Sequence, residues 1–329
     1  MSTLRPLAVG EIIDRSASFW RAHWKPLFQL LLGFQLLQYI FVKAFDLVYR
    51  QQLRRALGGA TFDPMEWIKN PPDLDPRALV QMYAGLAVYG FLMVVLSQVS
   101  GVAGSRYVYA RMTWGPTSTV WQSVRFAFER FGASLGVTML SFGAGALMSL
   151  AILSLPAALI AAGAFWGLPL LMVAAVPFLI VGPILLLLWF VMRFILTAQV
   201  TAAEPTLSAW GIFRRTGALS SGRVGPGFMG WVKGRLTVLV TIVFGILMLI
   251  GTVTGLPTLL LQASYGNMLD PARISPPLWL LVPADLIQVV GGALVAPIYI
   301  VFQVVFYVDM RVRREGLDLE LALASPVTP

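Results

Sequence analysis

Stretches such as LPLLMVAAVPFLIVGPILLLLWFVMRFILTA, at residues 168–198, decide the fold, and Arg193 is the only charged residue in this one. A transmembrane helix needs about 20 predominantly apolar residues, and the stretch exceeds that length. The whole chain of 329 residues is 58% hydrophobic and 12% charged. A soluble domain is about 45–50% apolar and about 25% charged. The sequence therefore predicts an all-α integral membrane protein.

Six apolar runs are long enough to cross a bilayer. They occupy residues 27–49, 79–110, 135–164, 168–198, 236–262 and 278–308. An even number of crossings places both termini on one side of the membrane. The loop at residues 51–76 is then the one sizeable outer segment that we predict, and residues 309–329 form a tail on the inner side.

The distribution of charge predicts the orientation. No cleavable signal is visible before Pro26, so we expect the N-terminus to stay in the cytoplasm. In that orientation 16 of the 24 Lys and Arg residues lie in inner segments and six in outer segments, while Lys43 and Arg193 lie within spans. Cytoplasmic loops favour basic residues. The net charge of +9 therefore reflects topology, and we expect no nucleic-acid partner.

The residue inventory excludes several kinds of chemistry. Cysteine is absent, which excludes disulfides and thiolate sites. The single histidine, His23, excludes a multi-histidine metal site. Phosphate-loop, dinucleotide-binding and hydrolase motifs are also absent from the sequence. We therefore expect no catalytic residue, no metal and no cofactor.

Three predicted inner segments share one pattern. They are PLAVGEIIDR at residues 6–15, PTSTVWQSVR at residues 116–125 and PTLSAWGIFR at residues 205–214, each with Arg nine residues after Pro. Two spans follow each segment, so the sequence predicts six transmembrane helices in three pseudo-repeats with the same orientation. Each repeat is an interfacial amphipathic helix and a two-helix hairpin. The repeats cover residues 1–112, 113–200 and 201–329 of a single membrane domain.

The repeated segments are amphipathic. In the second copy Val120, Val124 and Phe128 form an apolar stripe, and Arg125 lies on the opposite face. Two compatible interpretations remain open: the helix lies in the membrane interface with its basic residues near anionic headgroups, or it docks on the helix bundle. The basic residues that would face lipid or a partner are Arg15, Arg125, Arg130, Arg214, Arg215, Arg311, Arg313 and Arg314.

The two ends of the chain resemble a known family. LRPLAVGEIIDRSASFWRAHW at residues 4–24 and YVDMRVRREGLDLELAL at residues 307–323 are similar to the glycerophosphoryl diester phosphodiesterase membrane-domain-like family of bacterial polytopic membrane proteins. The resemblance implies a multi-pass protein of the bacterial inner membrane. The phosphodiesterase activity is not carried over, because it needs a metal-binding carboxylate cluster and more than one histidine. One departure is Ala8, where Ser or Thr would complete a capping box with Glu11.

Prolines and polar residues in the spans mark a candidate pathway. Pro183 and Pro297 lie in the similar strings VGPI and VAPI, and each removes a backbone hydrogen bond from its span. Paired breaks at corresponding positions are typical of substrate sites in transporters, although prolines also simply kink membrane helices. The polar residues assigned to this pathway are Gln98, Asp285 and Gln288.

The charged residues in the spans also have structural explanations. Asp285 would lie in the first turn of a helix that begins at Pro283, where the helix dipole favours an anion. Lys43 and Asp46 are three residues apart, which predicts an ion pair on one face near the outer end of the first span. Arg193, near the inner end of the fourth span, is expected to extend its side chain towards the interface.

Function is predicted from this architecture. The first hypothesis is a non-enzymatic structural or accessory protein that binds anionic lipid, and a protein partner or a second copy of itself, at its cytoplasmic face. The alternative is a transporter or channel for an amphiphile or small solute along the pseudo-threefold axis. An intramembrane lipid enzyme would need two titratable residues that face each other at depth, and spacing alone indicates no such pair.

Overall fold

The computed structural model describes residues 5–56, 75–113, 118–265 and 276–324. The α-helices are α1 (Val9–Ala56), α2 (Pro76–Thr113), α3 (Val120–Glu129), α4 (Phe131–Trp166), α5 (Pro169–Phe194), α6 (Thr197–Ala203), α7 (Ala209–Leu219), α8 (Val232–Ser264), α9 (Leu278–Glu315) and α10 (Leu317–Ala324). A short 3-10 helix, Phe228–Gly230, precedes α8. Most of the predicted outer loop at residues 51–76 lies outside the described residues, as do Pro116 and residues 325–329.

The all-α fold class is confirmed for these residues. They contain no strand beyond an isolated bridge between Arg223 and Trp231. Six segments are long and apolar enough to cross a membrane, as predicted: Val9–Tyr49, Pro76–Thr113, Phe131–Trp166, Pro169–Ala203, Val232–Ser264 and Trp279–Glu315. Each covers one of the predicted apolar runs to within one residue.

The six helical segments are longer than a bilayer requires. The shortest has 33 residues. At about 1.5 Å per residue it measures about 50 Å, whereas the hydrocarbon core of a bilayer is about 30 Å thick. A part of each segment therefore extends beyond the hydrocarbon layer.

The chain divides into two compact units. Unit 1 comprises Met1–Ser16, Gly101–Thr241 and Val301–Pro329, and unit 2 comprises Ala17–Ser100 and Ile242–Ile300. Helices α1, α2, α8 and α9 each contribute to both units. The division does not follow the three predicted repeats, whose boundaries stay a prediction.

Helix α9 forms the centre of unit 1. Every residue from 301 to 310 is buried, including the large side chains of Phe302, Phe306 and Tyr307. A helix that is buried on all sides must be covered by other helices. In unit 1 the short helix α6 is itself buried over residues 197–202, and so is most of α2 from residue 102 to residue 110.

A glycine turn closes the α4–α5 hairpin of unit 1. Gly167 ends α4 in the left-handed conformation, with φ of 63°, and Pro169 follows in the first turn of α5. Glycine adopts this conformation without the steric cost of a Cβ atom. The N–H groups of Gly167 and Leu168 both donate to the Gly163 carbonyl. The helices also pack closely here, since a Cβ atom on Gly163 would lie 2.7 Å from Cγ of Met172.

Unit 2 is built from the other parts of α1, α2, α8 and α9. Small residues bring these helices together: a Cβ atom on Gly292 would lie 3.1 Å from the Gln35 side chain, and Gly291 faces Thr254. Outward-facing positions carry large apolar side chains, such as Ile40, which is 61% exposed. Exposed apolar side chains on long helices are typical of surfaces that contact lipid.

The three similar segments begin helices in related ways. Thr119 forms a complete capping box with Gln122 at the start of α3, and the Ser208 hydroxyl caps the start of α7. Ala8 has no hydroxyl, so only one of the two hydrogen bonds of a capping box forms there: the Ala8 N–H donates to the Glu11 carboxylate at 2.7 Å. A break in the helix follows in each case: at His23 within α1, at Arg130 between α3 and α4, and over residues 220–231, which include the 3-10 helix, between α7 and α8. The local order of helix, break and long helix is therefore the same in all three segments.

Candidate functional site

The N-terminal segment of unit 1 is bound to α9 through Asp309. The Leu7 N–H donates to Asp309 Oδ1 at 2.7 Å. Arg235 and Arg313 both donate to the Leu7 carbonyl at 2.7 Å, and both pair with Asp309, at 3.2 and 3.1 Å. We call these four residues the Asp309 cluster. It joins the two strings that carry the family resemblance.

Burial makes the Asp309 cluster a strong constraint on the fold. The Asp309 side chain is 0% exposed and the Arg235 side chain 5%. A buried charge is tolerated only when it is paired and hydrogen-bonded, and removing one partner costs about 3–5 kcal/mol. Asp309 accepts hydrogen bonds from one backbone N–H and from Arg313, and it forms an ion pair with Arg235; together these contacts compensate its charge. The position of the N-terminal segment therefore depends on the correct packing of α9.

A second charged cluster in unit 1 joins α7 to the end of α9. Glu204 Oε1 accepts from Arg215 at 3.0 Å and from the Tyr307 hydroxyl at 2.8 Å. Glu315 accepts from Arg215 at 2.6 Å and from Arg311 at 2.9 Å. Burial acts to lower the pKa of the Arg215 guanidinium, but the bonds to Glu315 and Glu204 raise it above its ordinary value. We call these five residues the Glu204–Glu315 cluster.

An uncharged polar network lies buried in the same unit. Gln199 Nε2 donates to Gln303 Oε1 at 2.8 Å and to Ser105 Oγ at 3.1 Å. Gln303 Nε2 donates to the Ile195 carbonyl at 3.2 Å. None of these three residues was predicted from the sequence as part of a site. The available signal was the presence of an amide side chain inside or beside an apolar run, where polar groups are expensive.

Most of the arginines predicted to face lipid or a partner bind other parts of the chain. Arg215, Arg311 and Arg313 belong to the two charged clusters. Arg314 donates to the carbonyls of Ala218, at 2.6 Å, and Ser221. Arg130 donates to the Leu207 carbonyl at 2.5 Å.

The other three predicted arginines differ in exposure. Arg15 is half-buried and has an interaction partner. The Arg125 side chain is 74% exposed and pairs with Glu129 at 2.9 Å along α3. Arg214 of α7 is exposed. Arg125 and Arg214 are therefore the predicted arginines best placed to meet lipid.

Three elements of unit 1 present aromatic side chains outward. On α3 the small residues Ser123 and Ala127 are buried, whereas Trp121 is 74% exposed and Phe128 59%. The residues of α7 and of the 3-10 helix region that are also exposed are Trp210, Phe228 and Trp231. We call these five aromatic residues the aromatic surface. Tryptophan and phenylalanine beside basic residues are typical of helices that lie in a membrane interface.

In unit 2 the charged residues Lys43 and Asp285 pair with each other. Lys43 Nζ lies 2.6 Å from Asp285 Oδ2. The hydroxyls of Tyr39 and Thr258 donate to the same carboxylate at 3.2 and 3.3 Å. Spacing along α1 pointed to the local residue Asp46 as the partner of Lys43, and it gave no information about Asp285 on α9.

The expectation that Asp285 lies in the first turn of its helix is wrong. Helix α9 begins at Leu278, so Pro283 and Asp285 both lie inside it. Pro283 is the sixth residue of α9, so it lacks the N–H that would otherwise donate to the Trp279 carbonyl, and the helix continues past it. Lys43 and two hydroxyls, rather than the helix dipole, compensate the Asp285 carboxylate.

The candidate pathway residues have different surroundings. Gln288 lines an open groove of about 650 Å³ along α8, together with Thr258 and Gln262. Asp285 borders this groove through its hydrogen bond with Thr258. Gln98 is half-buried and Pro297 is buried, and neither lines the groove; Pro183 is exposed on α5 in unit 1. The groove thus brings together Asp285 and Gln288 from the predicted set.

The fold and these sites define a multi-pass helical membrane protein, with six helices that could span the bilayer. Among the side chains that the structure describes, no group of three or more His, Asp or Glu residues could hold a metal ion. No family model, curated protein or solved structure matches the chain. The resemblance of the chain ends to a known family therefore stays a prediction.

Proposed function

We propose that this is a non-enzymatic structural or accessory protein of the bacterial inner membrane that binds anionic lipid and a protein partner at its cytoplasmic face. In this proposal both termini are cytoplasmic and the chain consists of three pseudo-repeats. The proposal also includes membership of the family that the chain ends resemble. The shared order of helix, break and long helix in the three similar segments supports the repeats.

The observation that carries the proposal is the aromatic surface with Arg125 and Arg214 beside it. These two arginines lie on α3 and α7, the same helices that expose Trp121 and Trp210. Tryptophan prefers the headgroup level of a bilayer, because one part of its ring system is apolar and its N–H is polar. Each Lys or Arg near an anionic membrane surface contributes about 1 kcal/mol of attraction. The combination favours an anionic lipid surface over water or a neutral one.

Helix α10 supports the partner half of the proposal. Its side chains Leu319 and Leu323 are 66% and 89% exposed, and they are four residues apart, so they lie on one face of the helix. Leu317 on the same helix is buried at 3%. Two large apolar side chains on one exposed helical face are typical of a docking surface.

Lipid retention tests the first half. The full-length protein is extracted in mild detergent from vesicles of phosphatidylglycerol and phosphatidylethanolamine, and native mass spectrometry measures the lipid that stays bound. We expect phosphatidylglycerol to be enriched, and its retention to fall at least fivefold in an Arg125→Gln, Arg214→Gln variant. Glu129→Gln, which removes a nearby negative charge, should retain as much or more. Equal retention of the two lipids by the unaltered protein would refute lipid selectivity.

Site-specific crosslinking tests the second half. A photoreactive residue at position 323 is expected to give one defined adduct in intact cells. The same residue at the buried position 317 is the matched control and should give none. Labelling at both positions alike, or at neither, would contradict a docking surface on α10.

A transporter or channel for an amphiphile or small solute is the second candidate, and the groove of unit 2 is the observation that favours it. The groove exposes Gln262 and Gln288 along an apolar helix face, next to Asp285. Its test is solute or lipid flux into proteoliposomes, with Asp285→Asn as the variant. Flux that requires the protein and falls in this variant would favour transport over the accessory role.

A further inference from the structure

Arg193 holds an unusual position at the inner end of α5. It lies in the last turn of that helix, and its guanidinium group packs directly on Gly217 of α7. A Cβ atom at position 217 would collide with Cζ and both terminal nitrogens of Arg193. The absence of a side chain at Gly217 is therefore what allows the guanidinium group to lie against α7.

The guanidinium groups of Arg193 and Arg214 have no bonding partner in the described parts of the chain, unlike that of Arg215. Within the described ranges, neither guanidinium group has a hydrogen bond or an ion pair. By contrast, Arg215, next in sequence to Arg214, pairs with both Glu204 and Glu315. Ten donor N–H groups in two planar forks are thus available to an outside acceptor.

The register of α7 places Arg214 one turn before Gly217, the residue on which the Arg193 guanidinium group packs. Arg214 and Gly217 are three residues apart, so they are neighbours on the helix surface at about 5–6 Å between Cβ positions. Arg193 occupies the space over Gly217, which brings its charge next to the base of the Arg214 side chain. Two neighbouring cations without a carboxylate repel each other, and an anion that binds both removes the repulsion.

A group of aromatic residues is adjacent to the two arginines in sequence. Phe194, adjacent to Arg193, packs on Phe213 with ring centroids 5.2 Å apart, and Trp210 stacks on Phe213 at 5.4 Å. Trp210 is 55% exposed. A tryptophan and an arginine at the end of an apolar span mark the headgroup level of a bilayer. A lipid phosphate would be found at this level.

We propose that Arg193 and Arg214 form a specific binding site for the phosphodiester group of an anionic phospholipid, with Trp210 at the acyl boundary. The arginine fork matches two phosphate oxygens, and the two forks together suit a headgroup that carries no amine of its own. This inference rests on the proposed binding of anionic lipid and assigns it to one site. The surrounding basic residues then add only a diffuse attraction.

Lipid titration of the full-length protein, followed by native mass spectrometry, tests the site. Arg193→Gln and Arg214→Gln should each weaken phosphatidylglycerol binding about fivefold. Gly217→Ala should weaken it by a similar factor although it removes no charge, because the methyl group displaces the Arg193 guanidinium. The Gly217→Ala, Arg193→Gln double variant should bind no more weakly than Arg193→Gln alone, since both changes act on one contact.

The controls separate a built site from general electrostatics. Arg5→Gln removes the same charge from an exposed pair with Glu11 and should leave binding unchanged. Equal losses in Arg5→Gln, Arg193→Gln and Arg214→Gln, with none in Gly217→Ala, would overturn the site and keep the proposed lipid binding. Failure of the unaltered protein to prefer phosphatidylglycerol would overturn both. Displacement of the lipid by excess inorganic phosphate would assign the site to a soluble phosphate instead.

Discussion

Unit 1 and unit 2 stabilise their charged residues in different ways. In unit 1, Asp309, Glu204 and Glu315 each have at least two charged or hydrogen-bonding partners, of which at least one lies 74 or more residues away in the sequence. In unit 2, Asp285 meets one cation, Lys43, and two hydroxyls. The clusters of unit 1 therefore combine several charged residues, whereas unit 2 has one ion pair, which joins α1 to α9.

The exposure of the cations differs as well. The Arg235 side chain in unit 1 is 5% exposed, but the Lys43 side chain in unit 2 is 29% exposed. A partly exposed lysine relaxes towards a polar boundary when its partner is removed, because its long apolar stem is flexible. A buried arginine in a packed cluster has no such freedom. We therefore expect charge removal to be more damaging in the Asp309 cluster of unit 1 than in the Lys43–Asp285 pair of unit 2.

The largest effect is expected at the centre of unit 1. Asp309→Asn should lower the free energy of unfolding by about 3–5 kcal/mol, since it leaves Arg235 and Arg313 without a counter-charge in a buried site. Chemical unfolding of the full chain in mixed micelles measures the loss. Asp318→Asn on α10 is the control and should change stability by less than about 0.5 kcal/mol. Equal losses in the two variants would show that Asp309 contributes no more to stability than Asp318, which contradicts the prediction.

A smaller loss is expected in unit 2. Asp285→Asn should cost about 2–3 kcal/mol, below the range for a fully buried pair, because Lys43 moves towards the boundary. The Lys43→Met, Asp285→Leu double variant should recover most of the loss, since apolar residues of similar volume suit the surroundings of the pair. A loss larger than that of Asp309→Asn in the same unfolding assay would reverse the comparison between the units.

The uncharged network of unit 1 should contribute less than either ion pair. Gln303→Leu removes an acceptor from Gln199 and a donor from the Ile195 carbonyl, which should cost about 1–3 kcal/mol. Gln288→Leu, on the exposed wall of the groove in unit 2, is the matched control and should cost almost nothing. If the two variants unfold at the same denaturant concentration, burial of the amide network has no measurable effect on stability.

The sequence predicted the six spanning helices because their signal is local. A run of apolar residues reports the lipid environment wherever it occurs, so α4 and α5 followed from residues 135–198 alone. The start of α9 was harder, since Pro283 is a common helix boundary, and the structure places it inside the helix. The division into two units could not be predicted from local sequence patterns either, because its boundaries fall inside long helices that contribute to both units.

The candidate sites were predicted less well because their contacts are long-range. Basic residues in inner segments were visible, yet nothing local distinguishes Arg214, which is exposed, from Arg215, which is held by Glu204 and Glu315. The partner of Lys43 lies 242 residues away on α9. Side-chain spacing reveals partners on one helix face and cannot reveal those that packing brings from elsewhere.

The smallest effect concerns backbone conformation rather than charge. Gly167→Ala should destabilise unit 1 by about 1 kcal/mol, because position 167 has φ of 63° and a Cβ atom there is strained even though no neighbour lies within 4 Å. Gly245→Ala in α8 of unit 2 also has open space around the new methyl group, but its backbone is helical, so alanine should be neutral or stabilising. Opposite signs in one unfolding assay would attribute the difference to φ, whereas equal signs would contradict a role for the left-handed backbone conformation at Gly167.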